Sequence, residues 1–351
     1  MVCTIFVAGD LSYDYDTLLF MNLVVSDSTP AKCPLCNTLN PIAYTRGRVK
    51  GVVSYTLYGC SACTVEFWWP LKNPGASWYE RDERYADRNA DPILKPNEKH
   101  IGVMDFLKGK KAGRVLDVGC GVGNFLALAK ERGWECWGID FDKDAIAAGK
   151  RAYELENLSV ADLAKFAHIH PELQFNLITF FDVFEHLDNH NEFLALVRNM
   201  LTPGGSIALS VPYRHGWRWL MPHDLPPRHL TRWDEHSLEN IFSRHGFRIQ
   251  MVRYVPASLY FIVLKLKSRY GMWTSFGLVK KMKAAEVRNV NEQFSYRKPP
   301  LRIRLVGLLA KAKDMLFFGT PALILWLMLL PTRKRYTDFY IVAGSDANSF
   351  Q

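Results

Sequence analysis

Residues 115–125 read Val-Leu-Asp-Val-Gly-Cys-Gly-Val-Gly-Asn-Phe, and this stretch of the chain decides its fold. The apolar residues predict a buried strand that ends at Asp117. Three glycines then allow the backbone to turn tightly and to approach a ligand: Gly119, Gly121 and Gly123. A helix is predicted over Asn124–Arg132, with Gly133 beyond its end. A strand, a glycine turn and a helix N-terminus in this order are typical of a nucleotide-binding corner.

The downstream sequence agrees with such a corner but not with a dinucleotide fingerprint. The glycine spacing is G-x-G-x-G, whereas the dinucleotide fingerprint G-x-G-x-x-G needs a small residue at the position of Asn124. A second strand, Cys136–Ile139, leads into Asp140, where a carboxylate can accept hydrogen bonds from both ribose hydroxyls. A helix is predicted over Lys143–Leu155. Strands and helices alternate up to Val255, which predicts a mostly parallel sheet covered on both faces.

Five motifs in this order resemble those of the class I S-adenosylmethionine (SAM) methyltransferases, and of the ubiquinone-type O-methyltransferases among them. They are the glycine turn, the strand ending at Asp140, Asp162-Leu163, Phe175–His186 and Leu201-Thr-Pro-Gly-Gly205. The resemblance implies a Rossmann-like α/β fold with a seven-stranded sheet whose last strand is antiparallel. Thr337–Gly344 fits that last strand, and its hairpin partner is then Arg248–Val255.

The resemblance also implies which residues bind the cofactor SAM. The expected contacts are Asp117, Gly119, Cys120, Gly121, Asp140, Phe141, Asp162, Leu163, Phe181 and Asp182. Asp162 is expected to contact the adenine amino group. Cys120 lies in the glycine turn, where we expect a small buried residue rather than a nucleophile.

Two C-x-x-C pairs precede this core, and 23 residues separate them. Four thiolates on two facing hairpins form the tetrahedral site that zinc prefers, so we expect a structural Zn²⁺ in an N-terminal zinc ribbon, bound by Cys33, Cys36, Cys60 and Cys63. The alternative is a degenerate ribbon that folds without metal. The module resembles that of certain sugar C-methyltransferases and of some ribosomal-RNA methyltransferases. It therefore does not identify the class of methyl acceptor.

The loop after the predicted strand that begins at Phe175 supplies two of the expected catalytic residues, Glu185 and His186. The third, His229, comes from later in the chain. Asp182-Val-Phe-Glu185-His186 is similar to the E/D-x-x-E-H motif of ubiquinone-type O-methyltransferases and of small-RNA 2′-O-methyltransferases. One interpretation is that His186 or His229 acts as a base or orients the acceptor. The other is that two carboxylates and two imidazoles hold a divalent metal such as Mg²⁺. No Asn/Asp-Pro-Pro-Tyr run follows this strand, which argues against exocyclic base amines as acceptors.

The net charge of +9 is concentrated in residues 256–336, which hold 16 Lys/Arg and only three acids. We expect this segment to be a basic amphipathic helical insertion before the last strand. It includes an uncharged run, Met315–Pro331, which Pro321 interrupts. Both ends of the insertion must lie on one side of any membrane if the flanking strands pair. The sequence therefore favours a helical hairpin at an anionic membrane surface; a soluble cap over the acceptor pocket and a nucleic-acid surface are the alternatives.

The sequence divides into an irregular or non-native extension (1–29), the zinc ribbon (30–70), a connecting helical segment (71–99), the SAM-binding core (100–255), the insertion (256–336) and the final strand with its tail (337–351). We expect the aromatic residues of a helix over Trp68–Arg88, Trp78 and Tyr79 among them, to pack at the domain junction; a lid is the alternative. Residues 1–29 lack the basic start of a secretory signal, which predicts a cytoplasmic protein, peripheral on the inner face of the membrane.

The expected function is methylation of a hydroxyl or enol on a small, lipid-linked or isoprenoid-like acceptor. A sugar or polysaccharide precursor is the alternative acceptor. A ribosomal-RNA methyltransferase and a non-catalytic SAM-fold binding protein remain further alternatives, and nucleic acid is not the expected partner. The sequence leaves the oligomeric state open.

Overall fold

The computed structural model describes residues 29–48, 54–75, 78–79, 97–216, 224–269 and 301–345. The predicted N-terminal extension therefore lies almost wholly outside the described residues, as do most of the predicted connecting helix and the charged middle of the insertion. The described chain falls into two compact units. One contains the ribbon and the sheet domain. The other is formed mainly by 258–269 and 301–328.

The strands of the first unit form two sheets. In chain order they are β1 Ile42–Arg48, β2 Ser54–Gly59, β3 Glu66–Trp69, β4 Arg114–Val118, β5 Glu135–Asp140, β6 Leu158–Val160, β7 Phe175–Phe181, β8 Leu201–Pro212, β9 Thr231–Arg232, β10 Phe247–Pro256 and β11 Tyr336–Ser345. Seven of them make the large central sheet, and four make the sheet of the ribbon.

The large sheet has the strand order β10-β11-β8-β7-β4-β5-β6. The pairs among β4 to β8 are parallel, whereas β11 is antiparallel to both its neighbours. Val255 pairs with Asp338. The structure thus confirms the predicted sheet and the predicted hairpin partner of its last strand.

Helices connect these strands, and their bounds follow local capping chemistry. They are α1 Glu98–Phe106, α2 Asn124–Glu131, α3 Lys143–Tyr153, α4 Leu163–Ile169, α5 His190–Asn199 and α6 Glu235–Arg244. The Asp142 side chain caps α3 by accepting from two backbone N–H groups, and Glu154 ends the helix in the left-handed conformation. Helix α6 begins at Glu235, because Asp234 and Ser237 form a capping box there.

The ribbon sheet has the strand order β1-β2-β3-β9. Its first three strands follow one another in the chain, whereas β9 comes from the loop that follows His229. The prediction of a helix that begins at Trp68 is wrong at its start, since Trp68 lies in β3. Pairing with the ribbon hairpin overrides local helix propensity there.

The ribbon and the large sheet share one hydrophobic core. Leu35, Val65 and Phe67 of the ribbon belong to the same buried cluster as Phe184 and Trp233 of the sheet domain. Phe67 and Trp233 are fully buried. The ribbon is therefore packed against the domain that follows it in the chain.

The second unit contains helix α7 Leu259–Arg269 and the 29-residue helix α8 Leu301–Leu329. A buried ion pair joins them, with Lys267 Nζ 2.6 Å from Asp314 Oδ2. Helix α8 continues through Pro321, which the sequence predicts as an interruption of the apolar run. A proline removes one helical hydrogen bond, but the surrounding Leu, Ala and Met residues are strong helix formers. Gly307–Leu329 is long and apolar enough to cross a bilayer, with a mean hydropathy of 1.4 over its most apolar window.

Candidate functional site

The glycine turn after β4 is fixed to the end of β5 by backbone hydrogen bonds. The N–H groups of Gly119 and Cys120 both donate to the carbonyl of Ile139, at 2.8 and 3.0 Å. Gly121 has a φ of +53°, and a Cβ atom built on it would meet nothing within 4 Å. A Cβ atom on Gly119 would instead lie 2.5 Å from the Val183 side chain. The turn therefore packs against the loop after β7 and leaves open space at Gly121 for a ligand.

Asp140, at the end of β5, holds this turn through its carboxylate. Its Oδ2 accepts from the Gly121 N–H at 2.8 Å, and its Oδ1 accepts from the Asp142 N–H at 2.9 Å. Burial raises the pKa of Asp140 above its usual range, although these backbone donors oppose the shift. Each carboxylate oxygen keeps a further lone pair, so the site fits the expected hydrogen bonds from two ribose hydroxyls.

Asp117 lies one strand away, with its side chain buried at the end of β4. Its Oδ1 accepts from the Thr179 hydroxyl at 2.6 Å. Burial raises its pKa to about 7, and the Thr179 hydrogen bond only partly offsets this. No cationic side chain in the described part of the chain forms an ion pair with Asp117, so a positively charged ligand would gain by binding beside it.

The other residues expected to bind the cofactor include the N-cap of a helix, two buried side chains and an aromatic ring. Asp162 is the N-cap of α4, and its Oδ1 accepts from the Lys165 N–H at 2.7 Å. Leu163 is buried, and Phe181 packs on Phe125 with ring centroids 5.0 Å apart. Cys120 is also buried, and desolvation raises the pKa of its thiol well above the usual value. This agrees with the expected structural role for Cys120, since the thiolate is the reactive form of cysteine.

Asp182 forms an ion pair that the sequence did not reveal. Its carboxylate accepts from Lys99 Nζ at 2.7 Å and from the Ser210 hydroxyl at 2.7 Å. Desolvation opposes ionisation, yet the Lys99 ammonium holds the pKa of Asp182 below its usual range. Asp182 adopts a left-handed backbone conformation, with a φ of +54°. Lys99 and Ser210 therefore fix the start of the loop that leads to Glu185 and His186.

The three residues expected to be catalytic lie together beyond this loop. His186 Nε2 and His229 Nε2 lie 3.9 and 4.0 Å from the same atom, Oε1 of Glu185. His186 Nδ1 lies 2.7 Å from the carbonyl oxygen of Arg228. A carbonyl can only accept, so Nδ1 of His186 carries the proton, and Nε2 is the acceptor nitrogen of the neutral ring. His229 Nδ1 faces Asp224 Oδ1 at 3.7 Å.

Glu185 is buried, and its Oε2 has no hydrogen-bond partner among the described residues. Desolvation, reinforced by the charge of Asp182, raises the pKa of Glu185 well above its usual value. An unpartnered buried carboxyl oxygen is costly, so Glu185 either carries a proton or faces a cation.

Two clusters of side chains have the geometry of metal sites. Among the ribbon cysteines, the Sγ atoms of Cys33 and Cys63 lie 3.7 Å apart and those of Cys36 and Cys60 lie 3.5 Å apart. A tetrahedral zinc–thiolate site requires sulfur separations of about 3.8 Å. All four Sγ atoms lie within 4.8 Å of one another, and cysteine binds zinc as the thiolate. The four residues fit a structural zinc ion.

The second cluster consists of Glu185, His186 and His229, whose ligand atoms all lie within 4.8 Å of one another. Asp182 does not belong to it, since Lys99 and Ser210 occupy its carboxylate. The set is therefore one carboxylate and two imidazoles, not the two carboxylates and two imidazoles expected from the sequence. Mg²⁺ prefers oxygen ligands, so this donor set fits a transition metal better than the expected Mg²⁺.

Tyr79 and Asn73 also belong to the site, although no sequence signal pointed to either role. The Tyr79 ring lies 5.3 Å from Phe141 and 5.9 Å from His186. Its hydroxyl lies 3.5 Å from His186 Nδ1. Tyr79 thus lies between Phe141, which is expected to bind the cofactor, and His186, which is expected to be catalytic. The sequence predicts packing at a domain junction for this residue, with a lid as the alternative. Asn73 Nδ2 donates to the His186 carbonyl at 2.7 Å.

Comparisons with known proteins match this chain to methyltransferases. Residues 81–252, just under half of the chain, match the family model described as a methyltransferase domain. A probable S-adenosylmethionine-dependent methyltransferase of Mycolicibacterium smegmatis is 26% identical over 43% of this chain and 59% of its own. The ubiquinone biosynthesis O-methyltransferase of Pseudomonas aeruginosa is 25% identical over 39% of this chain and 59% of its own. The match thus spans about three fifths of these relatives.

Among solved structures, a SAM-dependent methyltransferase from Archaeoglobus fulgidus matches 77% of this chain and 99% of its own. It is 18% identical, with a TM-score of 0.44. Phosphoethanolamine N-methyltransferase 2 of Haemonchus contortus, in complex with S-adenosyl-L-methionine, matches 77% of this chain and 59% of its own. It is 15% identical, with a TM-score of 0.49.

Proposed function

We propose that this chain, which belongs to the SAM-dependent methyltransferases of class I through residues 81–252, methylates a hydroxyl or enol oxygen of a small acceptor. One observation carries the proposal. The loop with Glu185 and His186 packs on the glycine turn through Val183, so imidazole nitrogens lie beside the expected cofactor corner. A neutral hydroxyl is a weak nucleophile, so an oxygen acceptor gains from a base that takes its proton.

The chemistry requires positioning and one proton acceptor. When bound, SAM supplies a methyl group activated by its sulfonium. Asp140 would hold the ribose hydroxyls, and Asp117 would offer a negative charge to the cationic end of the cofactor. Oxygen–methyl bond formation and sulfur–methyl bond cleavage accompany loss of the acceptor proton, which Nε2 of His186 or His229 receives. The imidazolium would face the Glu185 carboxyl, and its charge would favour the ionised form of that carboxyl.

A metal-assisted form of the same reaction is supported by the donor set of Glu185, His186 and His229. A divalent transition metal there would orient the acceptor and acidify its hydroxyl. The unpartnered Oε2 of Glu185 is the observation that favours this alternative. Metal analysis of the purified protein separates the two forms, because the ribbon alone predicts one zinc per chain.

For the acceptor we favour a lipid-linked or isoprenoid-like molecule over a sugar or polysaccharide precursor. Some of the curated relatives are named for ubiquinone biosynthesis, which supports the first class. The ribbon, which resembles that of sugar C-methyltransferases, supports the second. A ribosomal-RNA acceptor and a non-catalytic binding role are weaker proposals.

Helix α8 supports a peripheral membrane location, because it exposes many apolar side chains. Its exposed apolar residues run along most of its length: Leu305, Leu308, Leu309, Met315, Leu316, Phe317, Leu323, Ile324, Leu327 and Met328. Lys311 and Lys313 are exposed on the same helix. The insertion leaves the sheet at Pro256 and returns at Tyr336, and these two residues pair with each other. A segment anchored in this way fits a membrane surface better than a single crossing.

Transfer of label from methyl-tritiated SAM tests the proposed function and identifies the acceptor. Purified protein is incubated with lipid, glycan and RNA fractions of a lysate, and an Asp140→Ala variant is the control. Label in the lipid fraction supports the preferred acceptor. Label in the glycan or RNA fraction moves the assignment to that class, and absence of label from every fraction contradicts the enzyme proposal.

A further inference from the structure

The zinc ribbon and the segment that leaves it contact the proposed acceptor site at two places. Trp68 of the ribbon contacts the residue after His229, and Asn73 contacts the loop that holds His186. We propose that the ribbon is a positioning element of the acceptor site, which sets the side chains of His186 and His229 opposite Glu185. The proposal rests on the proposed function of these histidines. It gives the zinc of the four-cysteine site an indirect role in methyl transfer, although no zinc ligand reaches the reacting atoms.

The first contact fixes His229 through its neighbour Leu230. The Trp68 N–H, in the ribbon strand β3, donates to the Leu230 carbonyl at 2.8 Å. The Leu230 N–H donates in turn to the Glu185 carbonyl, also at 2.8 Å. Leu230 therefore forms a backbone bridge between the ribbon and the residue that both histidines face. Because His229 precedes Leu230 directly, this bridge sets its position relative to Glu185.

The strand that holds this bridge depends on the ribbon. Strand β9 has two residues, and among the described strands it pairs only with β3, Thr231 opposite Phe67 and Arg232 opposite Glu66. An ion pair between Arg232 Nη1 and Glu66 Oε2, at 2.8 Å, reinforces the register. A two-residue strand is too short to be stable by itself. Displacement of β3 would therefore remove one of the two backbone hydrogen bonds that hold Leu230, the neighbour of His229.

The second contact fixes His186 from the segment that leaves the ribbon. Asn73 Nδ2 donates to the His186 carbonyl at 2.7 Å, and the Asn73 N–H donates to Asp188 Oδ2 at 2.8 Å. The Asn73 Oδ1 accepts from the Gly75 N–H at 2.7 Å, which orients the amide. One residue of the ribbon segment thus holds the loop at both His186 and Asp188.

The zinc knuckles connect these contacts to the metal. The Cys60 N–H donates to the Val65 carbonyl at 3.0 Å, so the knuckle turn leads directly into β3. The knuckles also dock on the sheet domain: Asn191 Nδ2 donates to the Leu35 carbonyl at 3.2 Å and Asn240 Nδ2 to the Cys63 carbonyl at 3.4 Å. A zinc ion that closes the knuckles would therefore hold β3 in register with β9.

Nuclear magnetic resonance of the histidine side chains in the full chain tests the proposal without an acceptor. The matched variants are Asn73→Asp, which keeps the acceptor for Gly75 but loses the donor to His186, and Lys72→Ala at an exposed neighbour. We expect the His186 signals to shift in Asn73→Asp and to stay unchanged in Lys72→Ala. In folded protein stripped of zinc by a chelator, we expect the His229 signals to shift and to return when Zn²⁺ is added.

Unmoved His186 signals in Asn73→Asp, or unmoved His229 signals in folded zinc-free protein, overturn the proposal. If zinc removal unfolds the chain, the Asn73→Asp result decides alone. SAM affinity, measured by calorimetry on the same samples, separates this proposal from the proposed function. Wild-type protein that fails to bind SAM contradicts the methyltransferase function, whereas the histidine signals still report whether the ribbon positions the loop.

Discussion

Nε2 of His229 lies 4.0 Å from Oε1 of Glu185, and these two atoms make no direct hydrogen bond at this distance. Glu185 faces His186 across a similar gap of 3.9 Å. Two ligand atoms bound to the same zinc-like ion lie up to about 4.2 Å apart. The distances between the histidine nitrogens and Glu185 would therefore accommodate a bound cation. The same gap would let an imidazole nitrogen receive a proton from an acceptor. Under the proposed function, either occupant would make the two histidines the reactive part of the acceptor site.

Replacing His229 by Gln is expected to lower kcat for the identified acceptor by about 10²- to 10⁴-fold, the usual contribution of a general base. The affinity for SAM should stay within about twofold, because His229 lies on the acceptor side. Steady-state kinetics and calorimetry measure the two effects. The exposed His236→Gln variant is a control and should keep wild-type kcat. An equal loss of SAM affinity in His229→Gln would contradict the assignment.

Replacing Glu185 by Gln is expected to flatten the dependence of stability on pH. The folded-state pKa of Glu185 is raised, so the native state keeps a proton that the unfolded state releases above about pH 4.5. The stability of the metal-free wild type should therefore fall as the pH rises from there, with a contribution from this group of up to about 1.4 kcal/mol per pH unit. Denaturant unfolding at several pH values measures the difference, and parallel curves for both proteins would rule out the buried acid.

The affinity for SAM is expected to fall at acid pH because of Asp117. Burial raises the pKa of Asp117 to about 7, and a cationic ligand binds the ionised form. Below that pH the affinity should decrease, approaching about tenfold per pH unit. Asp117→Asn should bind more weakly at pH 8 and lose this dependence. Calorimetry between pH 5.5 and 8.5 provides the test; a dependence that persists in the variant would assign it to another group.

The membrane proposal predicts that polar substitutions on helix α8 weaken binding to anionic vesicles. Leu316 and Phe317 are exposed to 81% and 60%, so replacing both by Gln should leave the fold intact while removing apolar contact with the bilayer. Ile169, 53% exposed on the sheet domain, provides the matched Gln control. Flotation with phosphatidylglycerol-containing vesicles should show a loss for the double variant alone. Equal flotation of the three proteins would show that α8 is not the membrane contact.

The sequence was sufficient to predict the sheet and the glycine turn after β4 because their signals are local. The three glycines of the turn lie within residues 117–140, and so do Asp117 of β4 and Asp140 of β5. The pairing of the last strand also followed, because the resemblance supplied a partner for Thr337–Gly344. Such features depend on runs of neighbouring residues, and tertiary contacts reinforce them.

For the proposed acceptor site, the sequence predicted which residues take part but not how they contact one another. Nothing in the local sequence shows that Lys99 pairs with Asp182 or that Tyr79 reaches His186. The addition of Thr231 and Arg232 to the ribbon sheet joins residues more than 160 positions apart. These contacts arise from packing between distant segments, so they have no periodicity or spacing that the sequence could reveal.

Calorimetric titration of SAM into the wild-type protein and into Asp140→Ala tests the central claim most directly. We expect measurable binding to the wild type and an affinity at least about tenfold lower in the variant, since hydrogen bonds to a charged carboxylate are each worth about 1.5–3 kcal/mol. Circular dichroism confirms that both proteins are folded. Wild-type protein that is folded but binds neither SAM nor its demethylated product, or an Asp140→Ala variant with unchanged affinity, would contradict the account.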